Sequence, residues 1–286
     1  MGAQPALSAA AWRARETNSN GAPAIVENPS NCSAQAGRVA LVTGGARRIG
    51  RAIVIALAQA GWDVAVHYRE SRDEAQDTAQ RVRALGRAAQ AIEFDLERAA
   101  NFDPLFEACE RLLGPVQCLV NNASQFLPDS VADFTLEAFE LHMRVNVAAP
   151  VLLARALHAR LPASTPAVII NLLDQKLWNP NPDFFTYTLS KAALEAATGL
   201  LARALAPGTR VVGVAPGISL PARGQTEAGF EAAHRATALG RSSTPEDVAA
   251  AVAFLASAPA ITGTTLLVDG GQHLVPTRRD IMFIKA

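Results

Sequence analysis

Val39-Ala40-Leu41-Val42-Thr43-Gly44-Gly45-Ala46-Arg47-Arg48-Ile49-Gly50 runs from an apolar tetrad through a glycine-rich turn into a helical pattern. Such a short apolar run, followed at once by glycines, reads as a strand covered on both faces. The glycines permit a tight turn and let main-chain N–H groups approach a pyrophosphate, toward which the next helix points its positive end. A strand-to-helix turn with no ligand is the competing reading, because the spacing is not the commoner G-x-G-x-x-G. Its place directly after the first strand favours a dinucleotide.

The same alternation continues outward. Short apolar runs recur at 64–66, 88–92, 118–120, 168–170, 211–214 and 266–268. Helix-like stretches lie between them at about 48–60, 72–85, 100–113, 135–161, 184–205 and 245–257. Thr244-Pro245-Glu246-Asp247 carries a capping residue, a proline at the first helical position and acids in the first turn. Seven strands alternating with helices predict an α/β fold: a single Rossmann-type doubly wound domain, its seven-stranded sheet mostly parallel with helices on both faces. That domain spans 37–274. Residues 1–36 are rich in Ala, Ser, Asn, Pro and Gly without any period, and are expected to form a poorly ordered arm. The polar stretch 221–242 breaks the rhythm and is expected to act as a flap. The tail 275–286 carries Ile281, Met282, Phe283 and Ile284, and is expected to dock on its own or a neighbouring subunit.

Bulk properties narrow the function. Formal net charge is zero at pH 7, without the basic stripe a nucleic-acid partner demands. No apolar run reaches the roughly 18 residues of a membrane helix. Three cysteines, Cys32, Cys109 and Cys118, without C-x-x-C, point to reduced thiols in the cytoplasm and to no zinc. The histidines show no H-x-x-x-H spacing, so His142 and His158 read as packing or surface residues.

At the end of the second strand, His67-Tyr68-Arg69-Glu70-Ser71 lacks the usual carboxylate for a ribose 2′-hydroxyl at the Tyr68 position. Arg69, Ser71 and Arg47 suit a 2′-phosphate instead, so the cofactor reading is NADPH, with Glu70 the dissenting residue. Asp95-Leu96 and Asn121-Asn122-Ala123-Ser124 end the third and fourth strands, where ligands bind in open α/β sheets. Asp95 is read as an adenine contact and Asn121 as structural. Farther on, Tyr187 and Lys191 stand four residues apart, on one helix face, with Asp174 thirteen residues before the tyrosine. A nearby ammonium is expected to make the phenol more acidic, and Asp174 can reach it from the preceding strand's end. Alone, Y-x-x-x-K is equally an ordinary helix segment.

Together these pieces resemble the short-chain dehydrogenase/reductase family from Val39 to Leu274. They are T-G-x(5)-G from Thr43 to Gly50, N-N-A-S, Asn146, Y-x-x-x-K and Pro216-Gly217. The resemblance implies Tyr187 as proton donor, Lys191 as its pKa-lowering and ribose-binding partner, and Asn146 as anchor of a water relay. It implies cofactor contacts from Gly44, Arg47, Arg48, Ile49, Gly50, His67, Tyr68, Arg69, Ser71, Asp95, Leu96, Asn122, Ala123, Ser124, Tyr187, Lys191, Pro216, Gly217 and Ser219.

One departure is informative. Where the family usually has serine, this chain has Asp174, whose carboxylate would repel a carbonyl oxygen but suits N–H donors or a ring nitrogen awaiting a proton. With Arg48, Ser124 and Phe126, the chain is similar to the pteridine reductases within the family. That likeness implies that Arg48, Ser124, Phe126, Asp174 and Tyr187 line a pterin pocket, joined by Ser219, with hydride delivered to a C=N carbon. Arg48 can equally cap a helix or pair with phosphate, Phe126 can be loop packing, and Asp174 can pair with Lys176. The competing functions are a carbonyl or 3-oxoacyl-thioester reductase on the same scaffold, and a non-catalytic dinucleotide-binding protein. Family likeness also implies a homotetramer.

Overall fold

Strand β1 (Val39–Val42) lies inside the sheet in a computed structural model that describes residues 37–162, 164–221 and 225–283. The expected arm 1–36 lies outside the described residues. The other strands are β2 (Asp63–Tyr68), β3 (Ala89–Glu93), β4 (Val116–Asn121), β5 (Ala167–Leu172), β6 (Thr209–Pro216) and β7 (Thr265–Val268). All seven pair in parallel, in the order β3-β2-β1-β4-β5-β6-β7.

Strand residues alternate between two cores, because successive side chains point to opposite faces. Val42, Val66, Val120 and Ile170 pack under helices α1 (Arg48–Gln59), α2 (Arg72–Ala84) and α8 (Pro245–Ser257). Leu41, Ala65, Leu119 and Ile169 pack under α3 (Asp103–Leu112), α5 (Ala149–Arg160) and α6 (Phe185–Ala204). The chain reverses direction across the sheet between β1 and β4, so the carboxyl ends of these neighbours flank the crevice where open α/β sheets bind ligands.

Two expectations are corrected. The stretch 135–161 is not one α-helix. It divides into α4 (Leu136–Met143), a π-helical turn at Arg144–Ala148, and α5. Pro150 has no N–H, so the Asn146 carbonyl loses its i+4 donor there, and π-turns of this kind recur at functional sites. The stretch 221–242, expected as a flap that breaks the rhythm, resumes it in part. It holds α7 (Glu227–Arg235), capped by Thr226, whose hydroxyl accepts from the Gly229 N–H.

Candidate active site

The β1–α1 turn is fastened from three sides. Thr43 Oγ1 accepts from the Asn122 and Ala123 N–H groups at 2.9 and 3.0 Å. Asn122 Nδ2 donates to the Thr43 and Gly44 carbonyls at 2.9 and 3.1 Å. The Gly44 N–H donates to His67 Nδ1 at 3.0 Å, and His67 Nε2 faces the Phe94 carbonyl at 3.0 Å. Burial pushes His67 down to about 4, so it stays neutral with its proton on Nε2. Gly44 has φ +62°, and a Cβ on Gly50 would collide with the Gly44 carbonyl and the Asn122 side chain. Glycine is therefore required at both positions.

Arg48 opens α1 at φ +55°, a region that costs a non-glycine residue about 1–2 kcal/mol. Its guanidinium donates to the Pro221 carbonyl at 3.1 Å. Helix α1 begins with no side-chain cap and no acid in its first turn, so its leading N–H groups are open to an anion. They face a cavity of about 430 Å3. Among the expected cofactor residues, Gly44, Arg47, Arg48, Ile49, Gly50, His67, Tyr68, Arg69, Ser71, Leu96, Asn122, Ala123 and Ser124 line it. Three arginines against Glu70 and Glu97 leave a cationic surplus, although Arg69 is held by both acids at 3.0 and 2.7 Å. Uncapped helix, glycine turn and arginines together fit a phosphorylated dinucleotide.

Other expected contacts fall elsewhere. Asp95 turns its Oδ1 back to the N–H groups of Glu97 and Arg98 and does not border this cavity. Pro216, Gly217 and Ser219 do not border it either. Gly217 is pressed against Ser242, Gln272 and Asp269, and the buried Ser219 hydroxyl is engaged by Ser243 at 2.7 Å. Asn121 bonds Asn171 at 2.8 Å inside the core, as a structural residue should.

The acid, phenol and amine do meet. Asp174 ends the loop after β5 and caps a 3-10 turn, Gln175–Trp178. Its Oδ1 accepts from the Lys176 N–H at 2.8 Å, and its Oδ2 accepts from Tyr187 Oη at 2.8 Å. Lys191 Nζ donates to the Leu172 carbonyl at 2.7 Å and lies 5.7 Å from the Tyr187 ring centre. Burial pushes Asp174 up and lowers Lys191 to about 8. The Tyr187 phenol is held well above its ordinary range, by burial first and by Asp174 second. The net direction is opposite to the more acidic phenol expected beside Lys191: the phenol keeps its proton until a base takes it. The Lys176 ammonium does not pair with Asp174; it bonds Asp280 and Asn181 at 2.9 and 2.6 Å.

Phe126 sets its ring edge-to-face with Tyr187, centroids 4.7 Å apart, and stacks on Phe184 at 4.4 Å. It is still 45 % exposed, so ring surface remains free. Ser124 Oγ reaches Asn146 Oδ1 at 3.2 Å. Asn146 spends its whole amide on Ser124, on both the N–H and carbonyl of Gln125, and on Ser190. The water-anchoring role expected of Asn146 would therefore fall to its main-chain carbonyl, the one Pro150 leaves without an i+4 donor. Gln125, Glu97 and Val145 at the cavity, Lys176 beside Asp174, and Phe184 beside Phe126 were not expected as site residues. Phe184 had a signal, in an aromatic pair just ahead of Y-x-x-x-K.

Comparison with known proteins gives the same answer by another route. The family model described as enoyl-(acyl carrier protein) reductase matches residues 44–273. A 3beta-hydroxysteroid dehydrogenase 1 from Eggerthella lenta is 34% identical over 248 residues, covering 84% of this chain and 95% of that one. A short-chain type dehydrogenase/reductase from Picea abies is 33% identical over 253 residues, covering 82% and 92%. Among solved structures, FolM alternative dihydrofolate reductase 1 from Brucella suis, in complex with NADP, superposes with a TM-score of 0.80 at 40% identity, covering 84% and 96%. With its glycine turn, its Tyr187-Lys191 pair and these relatives, the chain belongs to the short-chain dehydrogenase/reductase family and is an NADP-dependent oxidoreductase.

Proposed function

We propose that this chain reduces a C=N bond in a pterin-type ring, with Tyr187 protonating the ring nitrogen and Asp174 resupplying the phenol. The observation that carries this is the 2.8 Å bond from Tyr187 Oη to a carboxyl group pushed up by burial. A pterin offers N–H donors that a carboxyl oxygen accepts, whereas a ketone offers none. Phe126 supplies an aromatic face for a flat ring. The dihydrofolate reductase name of the Brucella suis relative supports the same substrate class. NADPH supplies the hydride; the open α1 N-terminus and Arg47, Arg48 and Arg69 hold its phosphates.

Purified protein is expected to oxidise NADPH with dihydrobiopterin, dihydromonapterin or folate, with kcat/KM for NADPH well above that for NADH. Absence of turnover with all three removes the pterin reading, and parity of the two nucleotides removes the 2′-phosphate assignment. Carbonyl reduction is the second reading, favoured by the hydroxysteroid relative; turnover of ketones alone would select it. We also infer a homotetramer. Leu189 and Leu200 on α6, Phe254 on α8 and Leu266 on β7 are exposed apolar side chains that association would cover. Light scattering at the mass of a single chain would refute it.

A further inference from the structure

The segment after β7 reaches back to the loop that carries Asp174. Asp280 Oδ2 accepts from Lys176 Nζ at 2.9 Å, and the Asp280 N–H donates to Asp183 at 2.7 Å. Arg279 Nε bonds both oxygens of Asp183, at 3.0 and 2.8 Å. Asn179 Nδ2 donates to the Val275 carbonyl at 2.8 Å, and Ile281 is buried. Lys176 is only 3% exposed, and its own N–H is the donor that orients Asp174. On the other side, the Phe283 ring stacks on Phe184 with centroids 5.8 Å apart, and Phe184 stacks on Phe126. Phe184 stands at φ +54°, a conformation rare for a bulky residue, with a ring on either side of it.

We propose that residues 279–283 position this active site from within the same subunit: Asp280 acts through Lys176 on Asp174, and Phe283 acts through Phe184 on Phe126. The proposal rests on reading Asp174 and Phe126 as the wall that meets substrate. A buried ammonium held by two acceptors cannot move without stranding its charge, so the 3-10 turn bearing its N–H is pinned. The Asp280 carboxylate also adds to the upward push on Asp174. Small displacements of reacting groups cost large factors in rate, so a tail far along the sequence can control the chemistry.

The chain has two tyrosines, Tyr68 and Tyr187, so labelling tyrosine with 13C at Cζ yields two resonances, which Tyr187→Phe assigns. Asp280→Asn and Phe283→Leu are each expected to shift the Tyr187 resonance and leave Tyr68 in place. They are expected to lower kcat by about tenfold or more, with KM for NADPH held within about twofold. Should Asp280→Asn fail to fold, Lys176→Met with Asp280→Asn leaves no charge unpaired and takes its place in both measurements. An unmoved Tyr187 resonance with kcat near wild type, or equal disturbance of both tyrosines, overturns the proposal. The spectra need no substrate, so a protein inert toward every pterin would defeat the functional reading while this result stands separately.

Discussion

Tyr187→Phe is expected to lower kcat for pterin reduction by about 10²–10⁴-fold, the usual span for loss of a positioned proton donor. That equals roughly 3–5 kcal/mol of barrier. Affinity for NADPH should stay within about threefold, because an interaction made only in the transition state leaves ground-state binding alone. The geometry separates the two effects. Tyr187 Oη donates to Asp174, whereas the cavity beside α1 is lined by the glycine turn and arginines. Removing the hydroxyl leaves Asp174 Oδ2 without its donor, at a cost of about 1–3 kcal/mol in stability. Stopped-flow NADPH oxidation with fluorescence titration of the nucleotide measures both. A variant that keeps wild-type kcat would show that the proton reaches the ring from elsewhere.

How much of this could be read beforehand depends on whether a residue's role is local. Strand β1 was legible residue for residue, because Val39–Val42 is uniformly apolar and bounded by glycines. Strands β2, β4 and β6 extend beyond their apolar centres into His67, Asn121 and Thr209, which are buried through hydrogen bonds that hydrophobic pattern cannot reveal. Helix α7 leaves no apolar stripe in the sequence, because only Ala233 in it is buried. The Tyr187-Lys191 pair was legible because i and i+4 share a helix face. The direction of the Tyr187 shift was not. It depends on how completely the fold buries the phenol and sets Asp174 against it, while Lys191 spends a hydrogen bond on Leu172. The Lys176–Asp280 ion pair joins residues 104 positions apart, and no periodicity announces such a contact.

Asp174→Asn should cost nearly as much as loss of the phenol, about 10²-fold or more in kcat/KM for pterins. The replacement is isosteric, and its amide oxygen can still accept the Lys176 N–H, so the 3-10 turn keeps its cap. What disappears is the carboxyl proton and the acceptor for substrate N–H groups. The sign of the pH effect follows from the direction of the shift. Burial raises Asp174 above its ordinary value, so the protonated acid persists at pH values where an exposed aspartate would be ionised. Wild-type reduction should therefore decline as pH rises through that raised pKa, and Asp174→Asn should lose this limb while keeping NADPH affinity. Asp174→Ser sharpens the test. A serine hydroxyl can polarise a carbonyl but is too weak an acid to resupply the phenol, so this variant should lose pterin turnover and gain ketone reduction. If Asp174→Ser instead abolished a ketone activity present in the wild type, the carboxylate would be serving carbonyl chemistry, and the assignment of a nitrogen-bearing ring to this pocket would fall.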